Sequence, residues 1–190
     1  MRIIAGKAGG RRLKSPDTTG TRPATDRVRE AVFSSIGSWV DDAVVADLYA
    51  GSGSFGLEAL SRGASSAVFV ESGRKALKAL RHNVEMVGLG GSVVEGTVEG
   101  YLKRANHRFH LVFMDPPWSK PIEQMEAELA GLDRLLLPNG EVVISRRHHD
   151  LVPRPPKTWR VAADKRYGDT RIIRYEKVED DDHGIVPGEL

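Results

Sequence analysis

Asp115-Pro116-Pro117-Trp118 is where this 190-residue chain concentrates its chemistry. The Asp115 carboxylate and the Pro116 carbonyl are both acceptors, while the two prolines remove two backbone N–H donors and fix the chain. An acceptor-only pair is what an exocyclic amino group with two N–H donors needs. Trp118 offers a flat face on which a base or an amide can stack. An amino nitrogen conjugated to an sp² system is a poor nucleophile, because its lone pair is delocalised. Holding both hydrogens turns that lone pair toward an electrophile and stabilises the positive charge that develops. Asp115 is also placed to take the departing proton. The structural alternative is a Pro-Pro turn ahead of a helix, with Trp118 simply packed.

A second constellation reads Asp47-Leu48-Tyr49-Ala50-Gly51-Ser52-Gly53-Ser54-Phe55-Gly56. It matches G-x-G-x-x-G between a strand and a helix, with Glu71 twenty residues past Gly51. Glycines permit a tight turn and let a ligand approach the backbone, and Glu71 can accept the hydroxyls of a ribose. This predicts an adenosine-bearing cofactor; the alternative is a Gly-rich turn serving only helix–strand packing. A nicotinamide dinucleotide would set its pyrophosphate on the helix N-terminus. Asp47, at the carboxyl end of the strand, would repel a pyrophosphate but suits the ammonium of a methionine moiety. Asp47 as a loop-ordering residue is the competing role.

Positioning these residues takes alternating strands and helices. Apolar runs at 44–50, 66–71, 92–96, 111–115 and 141–146 read as strands buried on both faces, separated by helices ending at 60, over 74–87, over 98–105 and over 121–136. TWRVAADKRY and TRIIRYEK around Gly168-Asp169 form a hairpin that finishes the sheet antiparallel. Ahead of this, residues 2–5 and 11–14 bracket Gly6 to Gly10 as a cationic hairpin, and residues 15–23 read as a loop. Thr25 or Asp26 then caps a helix with the stripe Val28, Ala31, Val32, Ser35, Ile36. The fold class is α/β, a doubly wound, mostly parallel sheet of about seven strands. Three parts are expected: an N-terminal hairpin and helix extension over 1–38, the main domain over 39–178, and an acidic, disordered tail over 179–190.

Composition narrows the class. No window approaches the run of about 20 apolar residues that a membrane span needs, and the opening residues lack the apolar core of a signal peptide. The chain contains no cysteine, which excludes disulfides, a thiolate zinc site and a cysteine nucleophile, and its six histidines show no helical metal-ligand spacing. A cytoplasmic, metal-free protein is expected. Its net charge of +2 hides blocks of alternating sign. Residues 1–29 hold eight Lys/Arg against two Asp, and residues 146–178 hold ten against four acidic side chains. The body between them is mildly acidic. Two basic segments suggest a polyanion partner, although basic surface also solvates itself.

Asp47-x-x-x-Gly51-x-Gly53 resembles the first motif of Rossmann-like S-adenosylmethionine methyltransferases. Asp115-Pro116-Pro117-Trp118 resembles the [N/D]-P-P-[Y/F/W] motif of those that modify conjugated amino nitrogens. That motif class covers adenine N6, guanine N2, cytosine N4 and the glutamine side chain. Glutamine is disfavoured, since that class usually carries Asn where Asp115 stands and needs no basic blocks. The segments Arg2-Ile3-Ile4-Ala5-Gly6, Gly10-Arg11-Arg12-Leu13 and Arg22-Pro23-Ala24-Thr25-Asp26-Arg27-Val28-Arg29-Glu30-Ala31-Val32-Phe33 resemble the opening of the bacterial 16S ribosomal RNA guanine-N2 methyltransferases of the RsmD type.

That resemblance runs from residue 2 to about 177. It implies methyl transfer from S-adenosylmethionine to N2 of a guanine in 16S rRNA, on an assembled or partly assembled small subunit, by a monomer. By position, Asp115, Pro116, Pro117 and Trp118 would be catalytic. Asp47, Tyr49, Gly51, Ser52, Gly53, Glu71, Ser72 and Thr97 would hold the cofactor, with Arg22 and Thr25 at its border. Lys7, Arg11, Arg12, Lys14, Arg22, Arg27 and Arg29 are the RNA-binding candidates, on the strength of their clustering. Ala24 and Trp118 stand where relatives often carry Thr and Phe or Tyr; the second change keeps the aromatic face. The competing readings are an adenine-N6 methyltransferase of DNA or RNA, a nicotinamide-dependent oxidoreductase, and a non-catalytic ribosome-assembly factor.

Overall fold

The structure, a computed structural model, describes residues 1–16 and 25–178. Seven strands form one sheet: β1 (Val44–Leu48), β2 (Ser66–Glu71), β3 (Ser92–Glu95), β4 (Phe109–Met114), β5 (Leu136–Arg147), β6 (Trp159–Tyr167) and β7 (Thr170–Lys177). Their order is β3-β2-β1-β4-β5-β7-β6, and the first five are parallel. β7 runs antiparallel to both β5 and β6. Among the described residues five α-helices accompany the sheet: α1 (Asp26–Ile36), α2 (Ser54–Ser61), α3 (Arg74–Val87), α4 (Val98–Arg104) and α5 (Ile122–Asp133). The doubly wound α/β class is as expected. The strand order reverses between β1 and β4, and ligands in open α/β sheets bind beyond the carboxyl ends of the strands at such a switch point.

Two apolar clusters sandwich the central strands. Alternate residues of each strand feed opposite faces: Val45, Phe69, Leu111 and Phe113 on one side, Ala46, Leu48, Val70, Val112 and Met114 on the other. This is why the strands read as unbroken apolar runs. The first cluster also takes in Ile3, Ala8, Leu13, Val28, Val32, Phe33 and Ile36, so the N-terminal segment shares the core of the main domain. Phe33 and Phe55 meet Phe113 with ring centroids 5.4 and 4.9 Å away, so α1 and α2 are joined to the strand that leads into Asp115.

Several boundaries differ from expectation. The chain reversal over residues 2–14 is present, but as a single antiparallel bridge, Arg2 to Arg12, rather than two strands. Its partner is α2 instead. The buried Glu58 carboxylate accepts from the Ile4 and Ala5 amides at 2.7 and 3.1 Å, and Ser61 accepts from Ala8. Thr25 is the N-cap of α1, its hydroxyl accepting from Val28. The buried face of α1 is Val28, Arg29, Val32, Phe33 and Ile36, with Arg29 and Phe33 replacing Ala31 and Ser35. α5 ends at Asp133 rather than near 136, because Leu135 and Leu136 are buried and Leu136 already belongs to β5. The acidic tail over 179–190 lies outside the described residues, as do Arg22 and Ala24. No helix among the described residues is long and apolar enough to cross a membrane, and they hold no cluster that could bind a metal ion.

Candidate active site

The glycine loop leaves β1 through a strained turn. Tyr49, Gly51 and Gly53 all have positive φ, at 64°, 57° and 79°. A tyrosine in that region is uncommon, and its strain must be offset locally. Here the Tyr49 hydroxyl donates to the Glu128 carboxylate at 2.6 Å, and Lys120 Nζ lies 3.0 Å from the same carboxylate and 5.3 Å from the Tyr49 ring centroid. Burial, reinforced by Glu128, pushes the Tyr49 phenol well above its usual range, so it stays a donor. Glycine at 53 and 56 is a packing demand as well. A Cβ at Gly53 would lie 2.6 Å from Leu80, and one at Gly56 would lie 2.4 Å from Phe69.

Two carboxylates organise the loop. Glu71, at the end of β2, accepts from the amides of Gly51, Ser72 and Gly73 at 2.7–2.8 Å. Asp47 is 1% exposed and accepts from Gly56 at 2.9 Å, the first turn of α2. Burial, with Asp115 and Glu71 adding repulsion, pushes the Asp47 carboxyl up to about 8, against the opposing pull of the Gly56 amide and Arg29. The loop-ordering role is therefore present in Asp47, and Asp115 is near enough to act on its charge. That proximity follows from register, since Asp47 pairs with Phe113 and Leu48 with Met114, placing Asp115 just past the adjacent strand end.

A cavity of about 830 Å³ opens beside this loop, within the size range of small-molecule sites. Tyr49, Glu71, Ser72 and Thr97 line it, with Val70, Val98 and Leu102 as an apolar wall. Thr97 caps α4, its hydroxyl accepting from Gly100 at 3.1 Å. Asp47, Gly51, Ser52 and Gly53 do not line it. Ser52 is buried, and its carbonyl accepts from Asn83. Of the Asp115–Trp118 segment, Pro116 is buried, Pro117 exposed and Trp118 half-buried, facing a second cavity of about 440 Å³. The Pro117 carbonyl accepts from Lys120 and closes the turn into α5.

The basic candidates divide. Lys7, Arg12, Lys14 and Arg27 are exposed. Arg11 is exposed too, but its guanidinium donates to the Val87 and Met86 carbonyls at the end of α3. Arg29 is a correction: its side chain is fully buried, donating to the Arg2 carbonyl and to Asp26, so it holds the N-terminal segment and meets no RNA. Sequence reasoning missed Lys120 and Glu128. Their only signal is the spacing to the Pro-Pro turn and α5, and the need to satisfy Tyr49 is visible only in three dimensions.

The family model described as "Conserved hypothetical protein 95" matches residues 1–176. The chain belongs to this family. It is 32% identical over 178 residues to the ribosomal RNA small subunit methyltransferase D of Escherichia coli (strain K12), covering 93% of this chain and 90% of that one. To the putative rRNA methyltransferase YlbH of Bacillus subtilis (strain 168) it is 33% identical over 184 residues, covering 93% and 99%. The solved structure of the putative methyltransferase yhhF from Escherichia coli superposes with a TM-score of 0.84 at 31% identity, over 94% of this chain and 98% of that one. The fold is that of class I methyltransferases, as the sequence reading expected, and one solved neighbour of this fold, SMU.776, is a putative methyltransferase complexed with SAH.

Proposed function

We propose that the protein transfers the methyl group of S-adenosylmethionine to the exocyclic N2 of a guanine in 16S rRNA, acting on the assembled or partly assembled small subunit. The observation that carries this reading is the register that sets Asp115-Pro116-Pro117-Trp118 beside Asp47 at the switch point of the sheet, in a chain whose relatives are named for methylating small-subunit rRNA. When bound, the cofactor supplies an electrophilic methyl on a sulfonium.

The residues present fit that cofactor. Glu71 has a capacity of about four acceptor sites and spends three on loop amides, leaving one for a ribose hydroxyl. Thr97, Val98 and Leu102 border the cavity where an adenine would sit. Buried Asp47 is the carboxylate for an ammonium group. On the substrate side, the Asp115 carboxylate and the Pro116 carbonyl accept the two amino hydrogens and fix the lone pair, and Asp115 receives the proton released. Trp118 stacks on the base, which must be extruded from any helix it belongs to and costs less to reach in a loop.

Asp115→Ala should abolish methyl transfer while leaving cofactor affinity nearly intact. Labelled S-adenosylmethionine is offered in parallel to unmodified small subunits, naked 16S RNA and duplex DNA, and the product nucleoside is identified by mass. N2-methylguanosine formed from the rRNA substrates bears the reading out. N6-methyladenine, or full activity of the Asp115 variant, overturns it.

A further inference from the structure

The second basic block has no place in the chemistry above, yet part of it lies against Trp118. β5 ends at Arg147, three residues past Ile144, which pairs with Met114 at the end of β4. Arg147 therefore emerges on the same edge of the sheet as Asp115–Trp118, and its guanidinium sits 4.5 Å from the Trp118 ring centroid. The His148 amide donates to the Asp169 carbonyl at 2.8 Å, clipping the end of β5 to the β6–β7 turn. Arg166 in turn donates to the Gly168 carbonyl at 2.8 Å, which pins its stem to that turn.

The 440 Å³ cavity lies between these elements. Trp118, Arg27 and Thr25 at the start of α1, and Arg166, Gly168 and Asp169 of the β6–β7 turn all line it. In the second block Arg146, Arg160, Arg171, Arg174 and Lys177 pair with Asp150, Glu176, Asp164, Glu141 and Asp133. Arg147 and Arg166 of that block and Arg27 of the first make no ion pair with any described carboxylate. Neither do Arg154, Lys157 and Lys165, but only Arg27, Arg147 and Arg166 lie at Trp118 or line its cavity.

We propose that this cleft, lined by Arg166 and the β6–β7 turn on one side and Arg27 on the other, with Arg147 against the Trp118 ring that borders it, binds the RNA strand flanking the nucleotide to be modified. The proposal rests on the function argued above and adds the carboxyl-terminal hairpin to the RNA-binding surface. Unpaired guanidiniums bind phosphate and also stack on bases, and strands presented as loops expose both. Arg147 already engages one face of Trp118, which fixes the ring and sets a positive charge next to the stacking site. Asp169 is the one acidic side chain lining the cleft, and it confines phosphates to the Arg27 and Arg166 sides.

The test compares Arg147→Gln/Arg166→Gln with the wild type and with Arg160→Gln, which removes a paired cation elsewhere on the same hairpin. Affinity for naked 16S RNA is measured against salt, together with kcat and KM on small subunits and the affinity for S-adenosylmethionine. The double variant should bind RNA about tenfold or more weaker near physiological salt, with its log–log salt slope shallower by about 1.4 for two lost single-strand phosphate contacts. KM should rise more than kcat falls, cofactor affinity should hold, and Arg147→Lys/Arg166→Lys should restore most of the slope. An unchanged RNA affinity and slope in a folded double variant overturns the docking surface while the proposed reaction stands. Equal losses in Arg160→Gln overturn it too, because any cation would then serve. A wild type that modifies no RNA takes down the reaction itself, and the docking surface with it.

Discussion

A single buried carboxyl group links this protein's stability to pH. Asp47 is fully enclosed, and its carboxyl is pushed up to about 8 from an ordinary value of 3.8. A group whose folded pKa lies above its unfolded one binds a proton on folding. Its stabilising effect is complete below pH 3.8 and declines as pH rises toward 8. Asp47→Asn removes that dependence and keeps an oxygen that can accept from Gly56. The variant's stability advantage over the wild type should therefore grow with pH by up to about 1.4 kcal/mol per unit and level off above 8. Urea denaturation of the cofactor-free proteins from pH 5 to 9 checks this, and a constant difference across that range refutes it. In the cofactor site proposed above, with Asp115 and Glu71 close by, a protonated Asp47 would lower the repulsion among the three acids until an ammonium group arrived.

At the scale of elements, the N-terminal segment is held by side chains of α2 and α3 rather than by strand pairing. Glu58 accepts from Ile4, Ala5 and Arg62, and buried Asn83 exchanges two bonds with the Lys14 backbone while donating to Ser52. Gly6 sits so close to α2 that a Cβ there would lie 1.8 Å from the Ser61 carbonyl oxygen. Glu58→Ala leaves two half-buried amides without their acceptor and should cost about 2–3 kcal/mol. Amide exchange should accelerate at Ile4, Ala5 and Ala8 before it does in β1 or β4, and unaltered protection at those three amides would show that the latch lies elsewhere. None of this was legible in the sequence, where Glu58 and Asn83 read as ordinary polar helix positions. The parallel strands were legible, because burial on both faces leaves unbroken apolar runs. So were the glycine loop and the Asp115–Trp118 turn, since each is contiguous in the chain. What escaped were partners brought together only by folding: Glu128 on Tyr49, Arg147 on Trp118, and the burial of Arg29. A cation in a basic cluster gives no sign of which side of a helix it occupies until the helix is placed.

At the scale of the whole molecule, those contacts remove the boundary between a binding extension and a catalytic domain. Ile3, Ala8 and Leu13 are at most 6% exposed and belong to the same apolar cluster as Val45, Leu57, Phe69 and Phe113. Arg174 of β7 reaches Ser35 at the end of α1 while its other nitrogen pairs with Glu141 of β5, so the antiparallel side of the sheet is tied to the same segment. Two apolar clusters packed on the two faces of one sheet imply one cooperative unit. Heating the full chain should give a single transition, coincident by far-UV and near-UV circular dichroism, and Glu58→Ala should lower its midpoint without splitting it. Deleting residues 1–14 should not yield a smaller stable methyltransferase domain, because it strips one face of the core that also seats α1 and the glycine loop. The truncated chain should lose its near-UV signal and expose apolar surface to a hydrophobic dye. A truncated chain that unfolds cooperatively and binds S-adenosylmethionine with wild-type affinity would restore the division into two parts. The cost of this unity is borne by the surface. The RNA contacts proposed for the amino-terminal segment and the β6–β7 turn would be fixed relative to Asp115 by the core itself, so the substrate would have to bring its loop to a rigid site.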